Sequence, residues 1–359
     1  SKVARFFSCM MRTDDLFSFG YLRRSKGMRL FFTRVALALM VAATAYAPSQ
    51  AGTITFGSVG NTFDMEFVTI GNAGNTADTT GDPNPAGAVG YTYDIGKFEV
   101  SEDMITKYNA NFGNANSLAI TTDARGANKP ATSVSWNAAA RFVNWLNTST
   151  GNPAAYKFAT GSGVNANIAL WTSVDAGYDA SNPYRNSLAK YVLPSYNEWY
   201  KAAYYNHNDS TYYDYANGSN TAPTAVASGT ADNTAVYGSI AQGPADVDQA
   251  GGLSPYGVMG LNGNAREWEE SSYNVSSGNY NSDVSSYRGM RGGDWLNPSF
   301  LLSSSTRGYD LPSYGYYNVG FRVASLSSSA PPAVPEPSMM VIGTLFGIGG
   351  LMAKRRMKK

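Results

Sequence analysis

Apolar positions change their period several times along this chain, and each change marks an element. Thr53-Ile54-Thr55-Phe56 alternates like a strand, and residues 91–100 alternate again. Ser101 then stands before Met104, Ile105, Tyr108 and Phe112, the spacing of a helix with a serine cap. A second helix is predicted from the N-cap Ser135. Its apolar face is Trp136, Ala139, Ala140, Val143 and Leu146, and Gly151 with Pro153 ends it. Ser195 with Glu198 three residues on forms a capping box, opening a third helix through Trp199, Ala202 and Ala203. Residues 71–90 are Gly, Asn, Thr, Asp and Pro without apolar period, a loop that lacks the Lys-Ser/Thr pair of a phosphate cradle. After Tyr205 only short apolar pieces remain, separated by Gly, Asn and Ser as far as Phe321-Arg322-Val323-Ala324. The pattern predicts a single α+β domain with few helices, short strands and many loops, over residues 52–325.

Two flanking regions read differently. Met28 opens a secretory signal over 28–51, with Arg29 and Arg34 as its positive end and an apolar run from Val35 to Val41 and the following alanines. Cleavage is expected after Ala51, since the strand pattern starts at Thr53, with Ala47 as the alternative site. The apolar run falls short of the ~20 residues that span a bilayer. Residues 1–27 are expected to be translated upstream sequence. At the other end a Ser/Ala/Pro-rich linker is expected over 326–337. Residues 338–359 follow as an uncharged stretch and the basic cluster Lys354, Arg355, Arg356, Lys358 and Lys359. As a helix, 338–353 would cover about 24 Å, less than a ~30 Å hydrocarbon core, with its basic end cytoplasmic.

Charge and rare residues exclude several functions. The formal net charge is +1, from 27 basic and 26 acidic residues. Eight basic residues lie in 1–34 and five in 354–359, with Asp14, Asp15 and Glu336 the only acids in the flanking regions. The domain therefore holds 14 basic residues against 23 acidic ones, a net charge near −9. Such a domain offers no footprint for nucleic acid, which is held chiefly by Lys and Arg on phosphates. The single cysteine, Cys9, precedes the domain, so no disulfide is expected within it. The single histidine, His207, lies in a polar loop and cannot build a His-rich metal centre. Stability must come from the core, for which 25 Tyr, 16 Phe and 6 Trp supply aromatic area.

Val334-Pro335-Glu336-Pro337, the apolar run and the basic end together resemble the PEP-CTERM sorting signal. The resemblance implies a Gram-negative bacterium, transient inner-membrane insertion, recognition by an exosortase, and transfer to the cell surface or extracellular matrix. Proteins with this signal are associated with extracellular polysaccharide and biofilm.

The domain itself resembles the sulfatase-modifying-factor family, the fold of the formylglycine-generating enzyme. The resemblance rests on five blocks in the family's order. They are Tyr93-Asp94-Ile95-Gly96-Lys97-Phe98-Glu99-Val100; Pro130-Ala131-Thr132-Ser133-Val134-Ser135-Trp136 with Asn144-Trp145-Leu146; Leu193-Pro194-Ser195 with Glu198-Trp199; Gly263-Asn264-Ala265-Arg266-Glu267-Trp268; and Arg291-Gly292-Gly293-Asp294-Trp295 with Gly320-Phe321-Arg322-Val323-Ala324. The implied fold is a loop-rich, C-type-lectin-like α+β domain.

What the resemblance implies for chemistry is mostly loss. The family's copper centre uses two cysteines after the Gly-Gly-x-Trp block, and those positions hold Asn297 and Leu302. Related iron enzymes need several histidines. No copper or iron is expected, because soft cuprous ion requires thiolates. A calcium site is partly retained: Gly263 and Ala265 would offer carbonyls and Glu267 its carboxylate, hard ligands of the type calcium takes. Gly260 replaces the family's Asn or Asp there, with Asn262 a possible substitute, and the competing expectation is that Glu267 pairs with a nearby arginine. A second family site would involve Asn233 and the Thr234 carbonyl. Arg291 and Arg322 are expected in buried ion pairs, with a bound carboxylate or sugar acid as the alternative, and Glu267, Glu269 and Glu270 in a cation site or solvated loop face rather than a glycosidase pair. Tyr309, Tyr314, Tyr316 and Tyr317 fall where the family's substrate groove runs. The leading expectation is a non-catalytic exported protein binding an extracellular polysaccharide or peptide. The alternatives are a divergent oxidase of the formylglycine-generating type and a purely structural matrix component.

Overall fold

Three caps set the three α-helices among the described residues. In α1 (Glu102–Tyr108) the Ser101 side chain accepts from Met104 N, and in α2 (Trp136–Ser149) Ser135 accepts from Ala138 N at 3.0 Å. In α3 (Tyr196–Tyr204) Ser195 accepts from Glu198 N while Glu198 accepts from Ser195 N at 2.6 Å, the complete capping box. The structure is a computed structural model that describes residues 52–273 and 287–326. The upstream segment, the signal, the chain beyond Leu326 and the motif Val334-Pro335-Glu336-Pro337 lie outside the described residues. Among the described residues no helix is long and apolar enough to cross a membrane.

Two curled sheets carry the rest. The first has five strands in the order β1 (Thr53–Phe56), β2 (Phe63–Ile70), β3 (Tyr93–Gly96), β13 (Ala324–Leu326) and β4 (Tyr191–Val192), all antiparallel. Its registers put Val68 opposite Ile95, and Ala324 opposite both Ile95 and Val192. The second runs β11 (Gly308–Asp310), β10 (Arg288–Arg291), β9 (Arg266–Ser272), β12 (Val319–Gly320), with β12 parallel to β9. Two short ribbons, β5 (Tyr205–Asn206) with β6 (Thr211–Tyr212) and β7 (Thr224–Ala225) with β8 (Thr234–Ala235), decorate the loops. The fold is the loop-rich α+β, lectin-like architecture that the sequence predicts.

The core lies where α2 covers the first sheet. Phe63 of β2 stacks on Phe142 at 6.1 Å and meets Trp145 at 5.9 Å. Phe142 takes the edge of Phe321 at 5.6 Å. Two indoles then fasten the second sheet to α2: Trp136 donates to the Glu269 carbonyl at 2.8 Å, and Trp268 donates to the Val134 carbonyl at 2.9 Å. β9 is thereby fixed against the helix start, with Trp268 and Glu269 at zero exposure.

Three local expectations need correction. The strand expected over 91–100 is regular only from Tyr93 to Gly96. Beyond Gly96, where a side chain would stand 3.2 Å from the Phe98 carbonyl, only isolated bonds remain, among them Lys97 N to Glu66 O and Val100 N to Phe321 O. The helix expected to reach Phe112 stops at Tyr108 and widens into a π turn over Asn109–Gly113. There the Asn109 side chain leaves the helix to bond both N and O of Ile120. Glu267, Glu269 and Glu270 lie not on a loop but on a strand buried on both faces.

Ser195→Ala removes one cap bond and is expected to cost about 1 kcal/mol. Phe142→Ala empties the space between Phe63, Trp145 and Phe321 and should cost about 3–5 kcal/mol. Urea unfolding at unchanged slope measures both, and equal losses would show that the core is not centred on Phe142.

Candidate ligand-binding site

Strand β9 alternates its side chains, so Glu267 and Glu269 point to one face and Glu270 to the other. None is solvated, and each meets an arginine from another segment. Glu267 accepts from Arg322 through both Nε (2.6 Å) and Nη2, and from the Trp199 indole at 2.8 Å. Glu269 accepts from Arg291 at 2.6 Å and Arg307 at 2.8 Å. Glu270 accepts from Arg185 at 2.8 Å, Tyr156 at 2.7 Å and Asn182 at 2.6 Å. Arg185 also chelates Glu198 through two nitrogens at 2.9 Å. Arg291 and Arg322 are thus in the expected buried ion pairs, and no carboxylate of β9 is open to a glycosidic bond.

One buried acid was not anticipated. Glu99, inside the first sequence block, accepts from Asn264 Nδ2 at 2.6 Å and Ala265 N at 2.9 Å, with no arginine of its own. Burial and the neighbouring Glu267 push its carboxyl up to about 8, against the partial relief of Arg322. Gly260 makes room for it: at φ +77, a Cβ there would be 3.2 Å from the Glu99 carboxyl. The signal in the sequence was an acid closing an apolar strand pattern, Phe98-Glu99-Val100.

Of the expected calcium ligands, the Gly263 and Ala265 backbones are anchored through their N–H groups, on the Gly292 carbonyl at 2.7 Å and on Glu99 at 2.9 Å. Glu267 has both oxygens on the Arg322 guanidinium, so a divalent cation would have to displace a buried cation to reach it. Glu267 as placed, paired with Arg322, does not fit calcium. At the second expected site the Thr234 carbonyl accepts from Gly252 N, and Asn233 is approached by Asn217 at 3.4 Å. Among the described residues no group of three His, Cys, Asp or Glu side chains is placed to hold a metal.

Asn297 and Leu302, the positions that the resemblance sets against the family's copper cysteines, sit in a closely bonded segment. Leu302 is fully buried, and its carbonyl accepts from Tyr204 at 3.0 Å. Asn297 is half-buried, and its Oδ1 accepts from Arg266 Nη2 at 2.6 Å and from Asp294 N at 3.2 Å. Beneath them Asp294 accepts from Leu296 N at 2.9 Å and Asn318 at 2.8 Å, and burial raises its carboxyl above the usual range. A hydrocarbon and an amide do not fit copper.

The family model of the sulfatase-modifying factor enzyme 1-like domain matches residues 52–326. The chain belongs to this sulfatase-modifying-factor family. Among solved structures it is similar in fold to Treponema denticola variable protein 1, at 21% identity and a TM-score of 0.52, covering 77% of this chain and 98% of that one. It is also similar to CarF, at 18% identity and a TM-score of 0.53, covering 73% and 98%. No curated protein matches.

Around the segment of Asn297 and Leu302 the sulfatase-modifying-factor domain exposes aromatic side chains. Tyr309, Tyr314 and Tyr317 are each about half exposed (49%, 53% and 51%), while Tyr316 is half-buried. Tyr317 meets the edge of buried Trp295 at 6.1 Å, and the Arg125 guanidinium lies 5.0 Å from the same indole. Tyr309 stacks on Tyr273 at 4.2 Å. An open depression of about 490 Å³, lined by Arg125, Lys129, Ser228 and Pro244, adjoins Trp295 through Arg125. Three of the four tyrosines expected along the groove therefore present faces to solvent.

Two buried acids give opposite pH dependences. Glu99 titrates near 8 when folded and near 4.5 when unfolded, so the folded state holds the extra proton between those values. Its contribution to stability is therefore greatest below pH 4.5 and falls as pH rises to 8, by at most about 1.4 kcal/mol per pH unit. Glu198 is held down to about 2: burial raises it, and Arg185 overcomes that. Its stabilisation is full above pH 4.5 and lost as pH falls toward 2. Chemical unfolding from pH 2 to 9 should show a maximum near pH 4.5–5. Glu99→Gln should flatten the limb between 5 and 8, and an unchanged limb would assign the slope elsewhere.

Proposed function

We propose that this protein is exported to the cell surface or matrix and that its domain binds an extracellular ligand without oxidising it. The observation that carries this reading is the replaced segment itself. Where the family's copper chemistry needs two thiolates, Leu302 is buried in the core and Asn297 is committed to Arg266 and Asp294. The domain also presents side chains of the kind a binding site uses: tyrosines about half exposed at 309, 314 and 317. Such faces stack on sugar rings or peptide side chains, so an extracellular polysaccharide or peptide is the ligand class. The Val334-Pro335-Glu336-Pro337 motif, the apolar run and the basic end support export through an exosortase, with transient insertion in the inner membrane.

Two measurements test the two halves of the proposal. The purified protein, incubated with a sulfatase-type cysteine peptide, copper and oxygen, should form no aldehyde above the rate of free copper. Aldehyde captured by hydrazide at a higher rate would make the domain a divergent oxidase. Mass spectrometry of surface material from the native host should find neither residues 28–51 nor the basic end. Recovery of an intact Lys359 terminus there would sink the sorting half.

A further inference from the structure

Arg125 and Lys129 line the open depression that adjoins Trp295, and the loop that carries them has little freedom left. Lys129 N donates to the Gly126 carbonyl at 3.0 Å and closes a turn between them. The carbonyls of Ala127, Asn128 and Lys129 accept from Asp103 N, Val247 N and Glu102 N at 2.9, 2.9 and 3.0 Å. The buried Glu102 carboxylate accepts in turn from Arg125 N at 3.0 Å and Gly126 N at 2.9 Å. The Arg125 guanidinium lies 5.0 Å from the indole of buried Trp295, whose backbone N–H is fixed on the Asn264 carbonyl at 3.0 Å.

Both charges are only lightly engaged. Asp123 stands 3.5 Å from Arg125 Nε, but its two oxygens already accept from the Thr132 and Ser133 hydroxyls at 2.7 Å. Asp246 lies 2.9 Å from Lys129 Nζ, in a pair 39% and 31% exposed, the kind that water and salt weaken. Neither Nη1 nor Nη2 of Arg125 makes a hydrogen bond among the described residues. Nη1 faces Gly243, where a Cβ would stand 3.6 Å away in ordinary contact. The rest of the lining is small, with Ala227, Ser228, Ala241 and Pro244, so a space of about 490 Å³ stays open before two cations.

A guanidinium offers a planar fork of N–H groups, and an ammonium a point charge with three protons. A carboxylate fills the fork alone, whereas the three free oxygens of a sulfate or phosphate ester meet a fork and an ammonium together. The space is much larger than one such group and lies within the ~300–1,000 Å³ of small-ligand pockets, so the oxyanion arrives on a ring-sized body. We propose that Arg125 and Lys129 hold the sulfate or phosphate ester of an anionic extracellular polysaccharide, with the sugar ring over the small side chains of the depression. The proposal rests on the ligand-binding reading above and names its ligand class.

Calorimetric titration of the purified protein with a neutral galactose oligomer, its sulfate ester and its phosphate ester tests this. At ~0.15 M salt, screening over ~8 Å takes the domain's net negative charge out of the comparison. At least one ester should bind about tenfold more tightly than the neutral oligomer, and the tighter of the two names the source of the oxyanion. Arg125→Gln should remove the preference. Gly243→Leu should remove it too, by filling the space before Nη1 while both cations stay in place. Its thermal midpoint should remain within a few degrees of the parent, since a Cβ there meets nothing closer than 3.6 Å. Equal binding of esters and neutral oligomer, or an ester preference that survives either variant, would overturn the oxyanion site and leave the ligand-binding reading standing. Oligogalacturonate binding as tightly as the esters, dependent on Arg125, would overturn the choice of a tetrahedral group. A phosphoserine peptide that does the same would overturn the polysaccharide assignment. Binding of none of the glycans or the peptide would overturn both readings.

Discussion

Charge in a dry interior is stable only when it is matched, and strand β9 carries three carboxylates in a place where water does not reach. Each is answered from a different part of the chain: Arg322 next to β13, Arg291 on β10, Arg307 before β11, and Arg185 in the loop ahead of β4. Two charges taken out of water gain little over an apolar pair of the same size, but removing one partner strands the other and costs about 3–5 kcal/mol. The ladder therefore acts less as a source of stability than as a register lock. If β9 slipped by one residue, Glu267 and Glu269 would leave Arg322, Arg291 and Arg307 for the opposite face. The Trp136 and Trp268 indoles, which bond carbonyls across the same junction, would lose their partners too.

How much of this was legible depended on whether the cause was local. The helix starts were readable because a serine cap and its apolar spacing are contained within a few residues, and Ser101, Ser135 and Ser195 all cap as expected. Residues 266–272 were not readable as a strand. Glu, Glu, Ser and Ser lack β propensity, and what makes them a strand is four arginines more distant in sequence. Glu99 escaped notice for the same reason: its environment is Asn264, Ala265 and Glu267, some 165 residues away. The domain's exposed tyrosines could be placed only through the family's groove, since a chain with 25 tyrosines gives no contrast by composition.

Replacement of the copper ligands left no hole. Leu302 fills core volume, and a Cβ at Gly293 would stand 2.9 Å from its side chain, so the turn there is closed tightly over it. Asn297 joins Arg266, Asp294 and Asn318 in one hydrogen-bonded set. Position 297 holds a polar group whose geometry is fixed by its neighbours. Fixed polar groups suit recognition, because little freedom is lost when a ligand arrives.

The place of β13 in the first sheet has a consequence for how the molecule is made. The strand comes from residues 324–326 yet lies between β3 and β4, so the sheet's middle is the last part of the domain to be synthesised. While the chain emerges in order, β3 and β4 each present an open edge where β13 will go, and Arg322, two residues earlier, has not yet reached Glu267. The domain can therefore close only after nearly all of it has left the ribosome. Sheets that depend on such distant pairings fold slowly, because long loops must close before the strands can meet.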